Sequence, residues 1–322
     1  MKVGLLCGRE SAFPPAFIDR VNTAGRPHGI TAEMVTLTGT KMGEPSAYRV
    51  IVDRISHEVE YYRAFLKHAV LEGAYVINNP FWWTADDKFF NYAVARRVGV
   101  AVPKTVVLPQ KSYPEGIDLT AESLANLGYP IDWDGLLDYV GRPAILKPFS
   151  GGGWKHVYKV QNREELLAAY DVTGPTCMTL QQFINFDQYV RCFTFGKMDI
   201  TPVRYDVQER RYLVEHDYLS SELGARIVRD AQTLNTALGY EMNTIEFAVQ
   251  DGVPYAIDFL NPAPDFERDR ITPHYFELVL EKMTNMVIDR ALSGRAQQSW
   301  PRWADMVGLS GGPQDPSRPG PV

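Results

Sequence analysis

The sequence predicts an α/β protein, with a parallel layer near its start and antiparallel hairpins further along that carry the polar chemistry. Three observations predict it. Short β-branched strands alternate with a helical pattern over residues 3–77, as in a parallel layer. The stretch ILKPFSGGGWKHVYKV (145–160) sets three glycines between two apolar strands. TIEFAVQDGVPYAIDF (244–259) alternates around Asp251-Gly252 as a hairpin does.

Residues 3–7 read as a buried first strand, and 50–52 as a second that ends at Asp53-Arg54. HEVEYYRAFLKHAVLEG (57–73) places Val59, Tyr62, Leu66, Ala69 and Val70 on one helical face, and Gly73 supplies the stop. Residues 75–77 form the next strand, ending at Asn78-Asn79-Pro80. Thr84 to Asp87 cap a helix whose apolar face includes Phe89, Phe90, Ala93 and Val94 and which Gly99 ends. VAVPKTVVL (100–108) reads as a strand, and 109–141 as an irregular connection with two short helical pieces.

After the glycine stretch, Asn162 to Glu165 open a short helix, 179–184 form a strand, and 189–205 a hairpin around Gly196-Lys197. Ser221 caps a long helix carrying Ile227, Val228, Ala231, Leu234 and Leu238, which Gly239 stops. Residues 276–292 form a closing helix, and the final run LSGGPQDPSRPGPV reads as disordered.

The chain has 322 residues, 45% of them hydrophobic, so it can bury a substantial core. Its net charge of −6 argues against nucleic acid as the main partner. No apolar run reaches membrane-spanning length, and the run at the start is too short for a signal peptide. Cys7, Cys177 and Cys192 fit no CxxC pairing and read as reduced thiols, which points to the cytoplasm.

The glycines of 151–153 let backbone N–H groups approach an anion closely, and Lys147 and Lys155 add positive charge on either side. Strands rather than a helix flank them, and GxxxxGK[ST] occurs nowhere, so this is no Walker loop. A glycine-rich flap over phosphates and a solvated hairpin tip fit this segment equally well.

The hairpin at 244–259 separates them. Ile245, Phe247, Val249, Val253, Tyr255, Ile257 and Phe259 all sit at odd positions. A three-residue loop from Asp251 to Val253 keeps them on one face and sets Glu246 opposite Asp258 on the other. Adjacent carboxylates repel unless a cation or proton lies between them. With the amide of Asn261 they form a hard-oxygen set suited to Mg²⁺ or Mn²⁺; the alternative is a solvated face whose acids need no partner.

In this order the segments DDKFFNYAVARRVGVAVPKTVVL (86–108), PAILKPFSGGGWKHVYKV (143–160), LQQFI (180–184), QYVRCFTFGK (188–197) and IEFAVQDGVPYAIDFLNPAP (245–264) resemble the ATP-grasp superfamily, and among its members carboxylate–amine ligases. The resemblance implies an amino-terminal parallel α/β domain (1–85), then two α+β lobes with antiparallel sheets that hold ATP between them (86–185 and 186–295), and a tail (296–322). It implies that Lys104 and Lys147 hold phosphates, that Ser150, Gly151, Gly152 and Gly153 form the flap, and that Lys155 reaches the γ-phosphate.

It further implies that Gln182, Phe183 and Ile184 read adenine through their backbone and that Asp187 takes the ribose hydroxyls. Glu246, Asp258 and Asn261 would hold Mg²⁺ (or Mn²⁺), and Arg191 and Arg204 would face the transferred phosphate or acyl intermediate. Two departures stand out: Tyr189 replaces an acid, and Asp258 and Asn261 are spaced one residue wider than usual, which leaves Asp265 as a substitute ligand.

The activity so implied joins a small carboxylate to an amine through an acylphosphate, on an amino acid or small peptide. The rivals are a hydroxyl kinase on the same scaffold and a non-catalytic nucleotide-binding protein. Asp53-Arg54 and Asn78-Asn79, at strand ends, either grip an acceptor or form structural pairs, and the PFWW run (80–83) is a candidate homodimer patch.

Overall fold

The computed structural model describes residues 1–82, 87–113, 116, 122–151, 156–297 and 306. Trp83 to Asp86, Gly152 to Lys155 and the final run lie outside them. Thus the expectations for Thr84, Gly152, Gly153 and Lys155, and for the tail, fall on undescribed residues.

Among the described residues three sheets stand in chain order. The first is parallel and built from β1 (Lys2–Leu6), β2 (Thr31–Met34), β3 (Val50–Asp53) and β4 (Tyr75–Ile77), in the order β2-β1-β3-β4. Two helices flank it: α1 (Phe13–Gly25) and α2 (Glu60–Leu71). On α2, Leu66 and Ala69 are buried with Val59, Tyr62 and Val70 against them, the face the periodicity predicts. Neither α1 nor β2 is visible in the sequence pattern. Pro14 and Pro15 make the start of α1 look like a loop, yet proline is tolerated in a first turn, where its missing N–H has no helical partner anyway.

Next comes α3 (Lys88–Arg97), capped by Asp87, whose carboxylate accepts the Phe90 N–H at 2.8 Å. Its buried face differs from the expected one. Lys88, Asn91, Tyr92, Val94 and Ala95 face inward, while Phe89 and Ala93 are exposed.

The second sheet is antiparallel, ordered β5-β8-β6-β7, from β5 (Thr105–Leu108), β6 (Ala144–Pro148), β7 (Tyr158–Val160) and β8 (Met178–Gln182). Helices α4 (Trp133–Val140) and α5 (Arg163–Asp171) cover it around a core of Leu137, Leu146, Leu166 and Leu180. As the sequence predicts, Asn162 caps α5, accepting the Glu165 N–H at 2.9 Å.

The third sheet, β11-β10-β9-β12-β13, is also antiparallel. Its strands are β9 (Gln188–Phe195), β10 (Asp199–Asp206), β11 (Arg211–Leu213), β12 (Met242–Gln250) and β13 (Val253–Asp258). Helix α6 (Ser221–Leu238), capped by Ser220 rather than Ser221, packs with α3 on one face around Ile227, Leu234, Ile245, Phe247 and Tyr92. Gly239, at φ +79°, ends α6, and a Cβ there would meet the Trp82 ring at 2.3 Å. The other face joins the first sheet: Phe193, Phe195 and Phe266 share one core with Val3, Phe13, Val52 and helix α7 (Arg268–Ser293), which kinks at Thr272-Pro273. Phe81 of the PFWW run is exposed. No described helix is long and apolar enough to cross a membrane.

Candidate active site

The β12–β13 hairpin sets the site by a route that corrects the sequence reading. The turn has two residues, not three: Asp251 (φ 53°) and Gly252 (φ 72°) both take left-handed conformations, as a type I′ turn requires. Pairing then runs Gln250 with Val253 through Phe247 with Ala256. A bulge at Ile257 shifts the register by one residue, so Glu246 still lies opposite Asp258. Pro254 and Ala256, not Val253, Tyr255 and Ile257, share the helix-covered face with Phe247 and Val249.

The bulge also leaves the Ile257 carbonyl outside the β12–β13 ladder. The Tyr92 hydroxyl of α3 donates to it, and the Lys147 ammonium of β6 lies 3.3 Å from it and 3.0 Å from the Tyr92 oxygen. One backbone distortion thus ties the second sheet, the third sheet and α3 together beside the paired acids.

Glu246 accepts the Tyr189 hydroxyl and an ion pair from Arg191 at 2.5 Å. Arg191 also donates to the Tyr212 hydroxyl at 3.1 Å and stacks on Tyr205 at 3.8 Å. Burial raises the Glu246 carboxyl above the usual range; Arg191 opposes this and Asp258 adds to it. Burial alone would lower Arg191, yet the Glu246 carboxylate outweighs it and keeps the guanidinium charged. Burial lowers the Lys147 ammonium, against the pull of Asp258 and Glu246. Asp258 lies 4.0 Å from Lys88, a lysine whose side chain is only 11% exposed.

Two carboxylates side by side, with two sequestered ammonium groups next to them, match what a metal–polyphosphate needs. The acids supply hard oxygens to a divalent cation, and the ammonium groups supply charge for phosphate oxygens. The donor set therefore fits Mg²⁺ or Mn²⁺ chemically.

The other sequence-predicted residues fall in three groups. Gln182, Phe183 and Ile184 leave β8 toward the third sheet, where Asn185 and Asp187 donate N–H groups to the Gln250 side chain (2.8 Å) and the Val249 carbonyl (3.0 Å). Lys104 precedes β5 instead of lying within a strand; it is exposed, and its carbonyl accepts the Gln182 N–H at 2.8 Å. Ser150 and Gly151 are exposed at the end of β6, and Asp187 is exposed.

Arg204 is a correction. It pairs with Val190, which pairs with Phe247, so it belongs to the face opposite Arg191 and Glu246, and it bonds Glu215 at 2.5 Å. Asn261 lies three residues past the end of β13, and its N–H donates to the Asn243 side chain at 2.9 Å; Asp265 is exposed, with Oδ1 accepting the Glu267 N–H at 3.1 Å. Tyr189 stands beside the metal-ligand candidate Glu246. The residues missed in the sequence are Lys88 and Tyr92. Their signal is the i, i+4 spacing, which places both on the buried stripe of α3 with Asn91 and Ala95.

This arrangement of three sheets matches solved structures over nearly their whole length. A RimK-domain ATP-grasp protein from Sphaerobacter thermophilus superposes with a TM-score of 0.65, covering 91% of this chain and 100% of that one at 17% identity. The fold is ATP-grasp. A D-alanine–D-alanine ligase from Bacillus anthracis, solved with ATP, superposes with a TM-score of 0.58 at 15% identity, over 93% of this chain and 100% of that one. In sequence, D-alanine–D-alanine ligase A of Bacillus cereus is 22% identical over 230 residues, 66% of this chain and 70% of that protein. No family model matches the chain.

Proposed function

We propose that this ATP-grasp protein is an ATP- and Mg²⁺-dependent carboxylate–amine ligase that works through an acylphosphate. The observation that carries the reading is the Glu246–Asp258 pair, fixed by backbone register and met by Lys147 and Lys88 where the second and third sheets approach. The likeness to ligases, one of them solved with ATP, supports it.

In this reading Lys147, Lys88 and Lys104 hold phosphate oxygens, with Lys155 at the γ-phosphate. Ser150, Gly151, Gly152 and Gly153 cover the chain of phosphates and exclude water, which would otherwise hydrolyse the acylphosphate. The backbone of Gln182 to Ile184 reads adenine, and Asp187 takes the ribose. Glu246, Asp258 and Asn261 hold the divalent cation, whose role when bound is to neutralise charge on the phosphates. Arg191 stays protonated against Glu246, opposes the effect of burial on that carboxyl and orients it for the cation.

A substrate carboxylate oxygen attacks the γ-phosphorus, ADP leaves, and the amine then attacks the acyl carbon to release phosphate. Such a transfer needs positioning and electrostatic stabilisation and no protein nucleophile. The named activity of the D-alanine–D-alanine ligases favours amino acid or small peptide substrates. The three free cysteines agree with a cytoplasmic site of action.

The test is incubation with ATP, Mg²⁺, candidate acids and hydroxylamine. Acid-dependent hydroxamate supports the ligase. A stable phosphorylated alcohol would make the protein a kinase, and ATP binding without either product would make it a non-catalytic binder.

A further inference from the structure

The strand ends of the first sheet grip the loop that follows β13, and the sheet that carries Glu246 does the same. Asn78, just after β4 and 2% exposed, donates from Nδ2 to the Met242 carbonyl (2.7 Å) and the Pro262 carbonyl (3.3 Å). Its Oδ1 accepts the N–H groups of Glu241 (2.8 Å) and Met242 (2.9 Å). Arg54, just after β3, has a side chain 1% exposed. It donates to the Pro264 carbonyl, pairs with Glu10 through Nε and Nη2 at 2.5–2.9 Å, and lies 4.8 Å from the Phe13 ring and 4.7 Å from the Phe266 ring, two rings that touch each other. From β12, Asn243 Nδ2 donates to the Phe259 carbonyl (2.8 Å) and its Oδ1 accepts the Asn261 N–H (2.9 Å). The backbone on both sides of Asn261 is therefore held by side chains from two sheets.

We propose that Arg54 and Asn78 are positioning residues, which fix from the first sheet the loop bearing Asn261 and thereby set the affinity of the cation site begun by Glu246 and Asp258. This rests on reading that pair as the metal site. A loop with proline at 262 and 264 has few backbone donors of its own, so its carbonyls must be oriented by outside donors. Among side chains, the planar guanidinium can bond a carboxylate and a carbonyl in its plane while aromatic rings pack against it. Outer groups that orient metal ligands commonly change metal affinity by about 10–100-fold when removed. Arg54 thus has its strand-end place explained without gripping a substrate.

The experiment uses the full chain with a non-hydrolysable ATP analogue, titrated calorimetrically with and without Mg²⁺. Arg54→Lys keeps the charge and loses the planar fork. The double variant Arg54→Met with Glu10→Gln removes the pair without leaving a buried charge alone. The expected result is that the Mg²⁺ concentration for half-maximal enhancement of binding rises about tenfold in each, while metal-free nucleotide binding stays within about twofold of wild type. A wild-type Mg²⁺ requirement in either folded variant would overturn the assignment. So would an equal fall in metal-free binding, because Arg54 would then act on the whole cleft. Failure of both variants to fold would overturn it too, since the contact would serve the fold and not the site. If wild type shows no Mg²⁺ dependence at all, the metal reading itself fails, a result distinct from these.

Discussion

The hairpins β12–β13 and β6–β7 meet where Lys147 reaches the Ile257 carbonyl, yet they are built differently. The first has a tight type I′ turn, a bulge in fixed register and a following loop tied down by Asn243, Asn78 and Arg54. That loop ends at Glu267, whose carboxylate accepts the N–H groups of Ser11, Ala12 and Phe13 at the start of α1. Among the described residues the second pairs from Ala144–Val160 to Leu146–Tyr158, and beyond β6 Ser150 and Gly151 are exposed.

In the proposed reading, the difference shows how one cleft would divide its tasks. Groups that hold a cation gain from geometry fixed before the ligand arrives, because reorganising charged groups at the moment of binding costs free energy. A cover for phosphates, the role proposed for the segment between β6 and β7, has to admit the nucleotide.

The largest expected effect tests the fixed side. Asp258→Asn keeps shape and register but removes a charge, and ATP turnover should fall by about 10²–10³-fold with an unchanged melting temperature. Phosphate release and a thermal melt check both. Next, Lys147→Met should weaken nucleotide binding by roughly 10–100-fold, the value of a charge-assisted hydrogen bond. Its fold should be no less stable, because burial disfavours the ammonium. Loss of stability comparable to a core deletion would mean that Lys147 is structural.

Asn243→Ala should cost about 2–3 kcal/mol in denaturant unfolding, since it strands buried partners at Phe259, Asn261 and Asn235. On the flap side, Gly151→Ala places a Cβ at φ +79° and should cost only about 1 kcal/mol, because the site is exposed. A larger loss there than at Asn243 would break the comparison.

The smallest effect is a pH dependence. Burial alone would raise the Glu267 carboxyl, but its bonds from Ala12, Phe13 and Ser11 outweigh this and hold it below the usual range. Its stabilising contribution is then present above the unfolded value near 4.5 and lost as pH falls through the folded one. Melts of wild type and Glu267→Gln should therefore differ at neutral pH and converge on acidification below about pH 4.5.

The sequence pattern revealed the paired acids because strand alternation reports which residues share a face. It misjudged how they come together, since a two-residue turn plus a bulge and a three-residue turn without one set the same pair opposite. Arg204 was misplaced because position along a strand decides the face, and its parity follows only from the pairing with β9. Lys88 was hidden because a lysine on a helix reads as solvated until the apolar stripe around it is seen to be buried. Helix α1 was hidden by its prolines. The tether through Arg54 and Asn78 joins residues more than a hundred positions apart, and no local pattern encodes such a contact.

The central claim is that Glu246 and Asp258 share a divalent cation under a nucleotide. Crystals of the protein grown with Mn²⁺ and a non-hydrolysable ATP analogue test it directly. An anomalous peak between the two carboxylates, with the analogue's phosphates against Lys147, is the predicted result. A peak elsewhere, or a nucleotide bound away from that cleft, would contradict it.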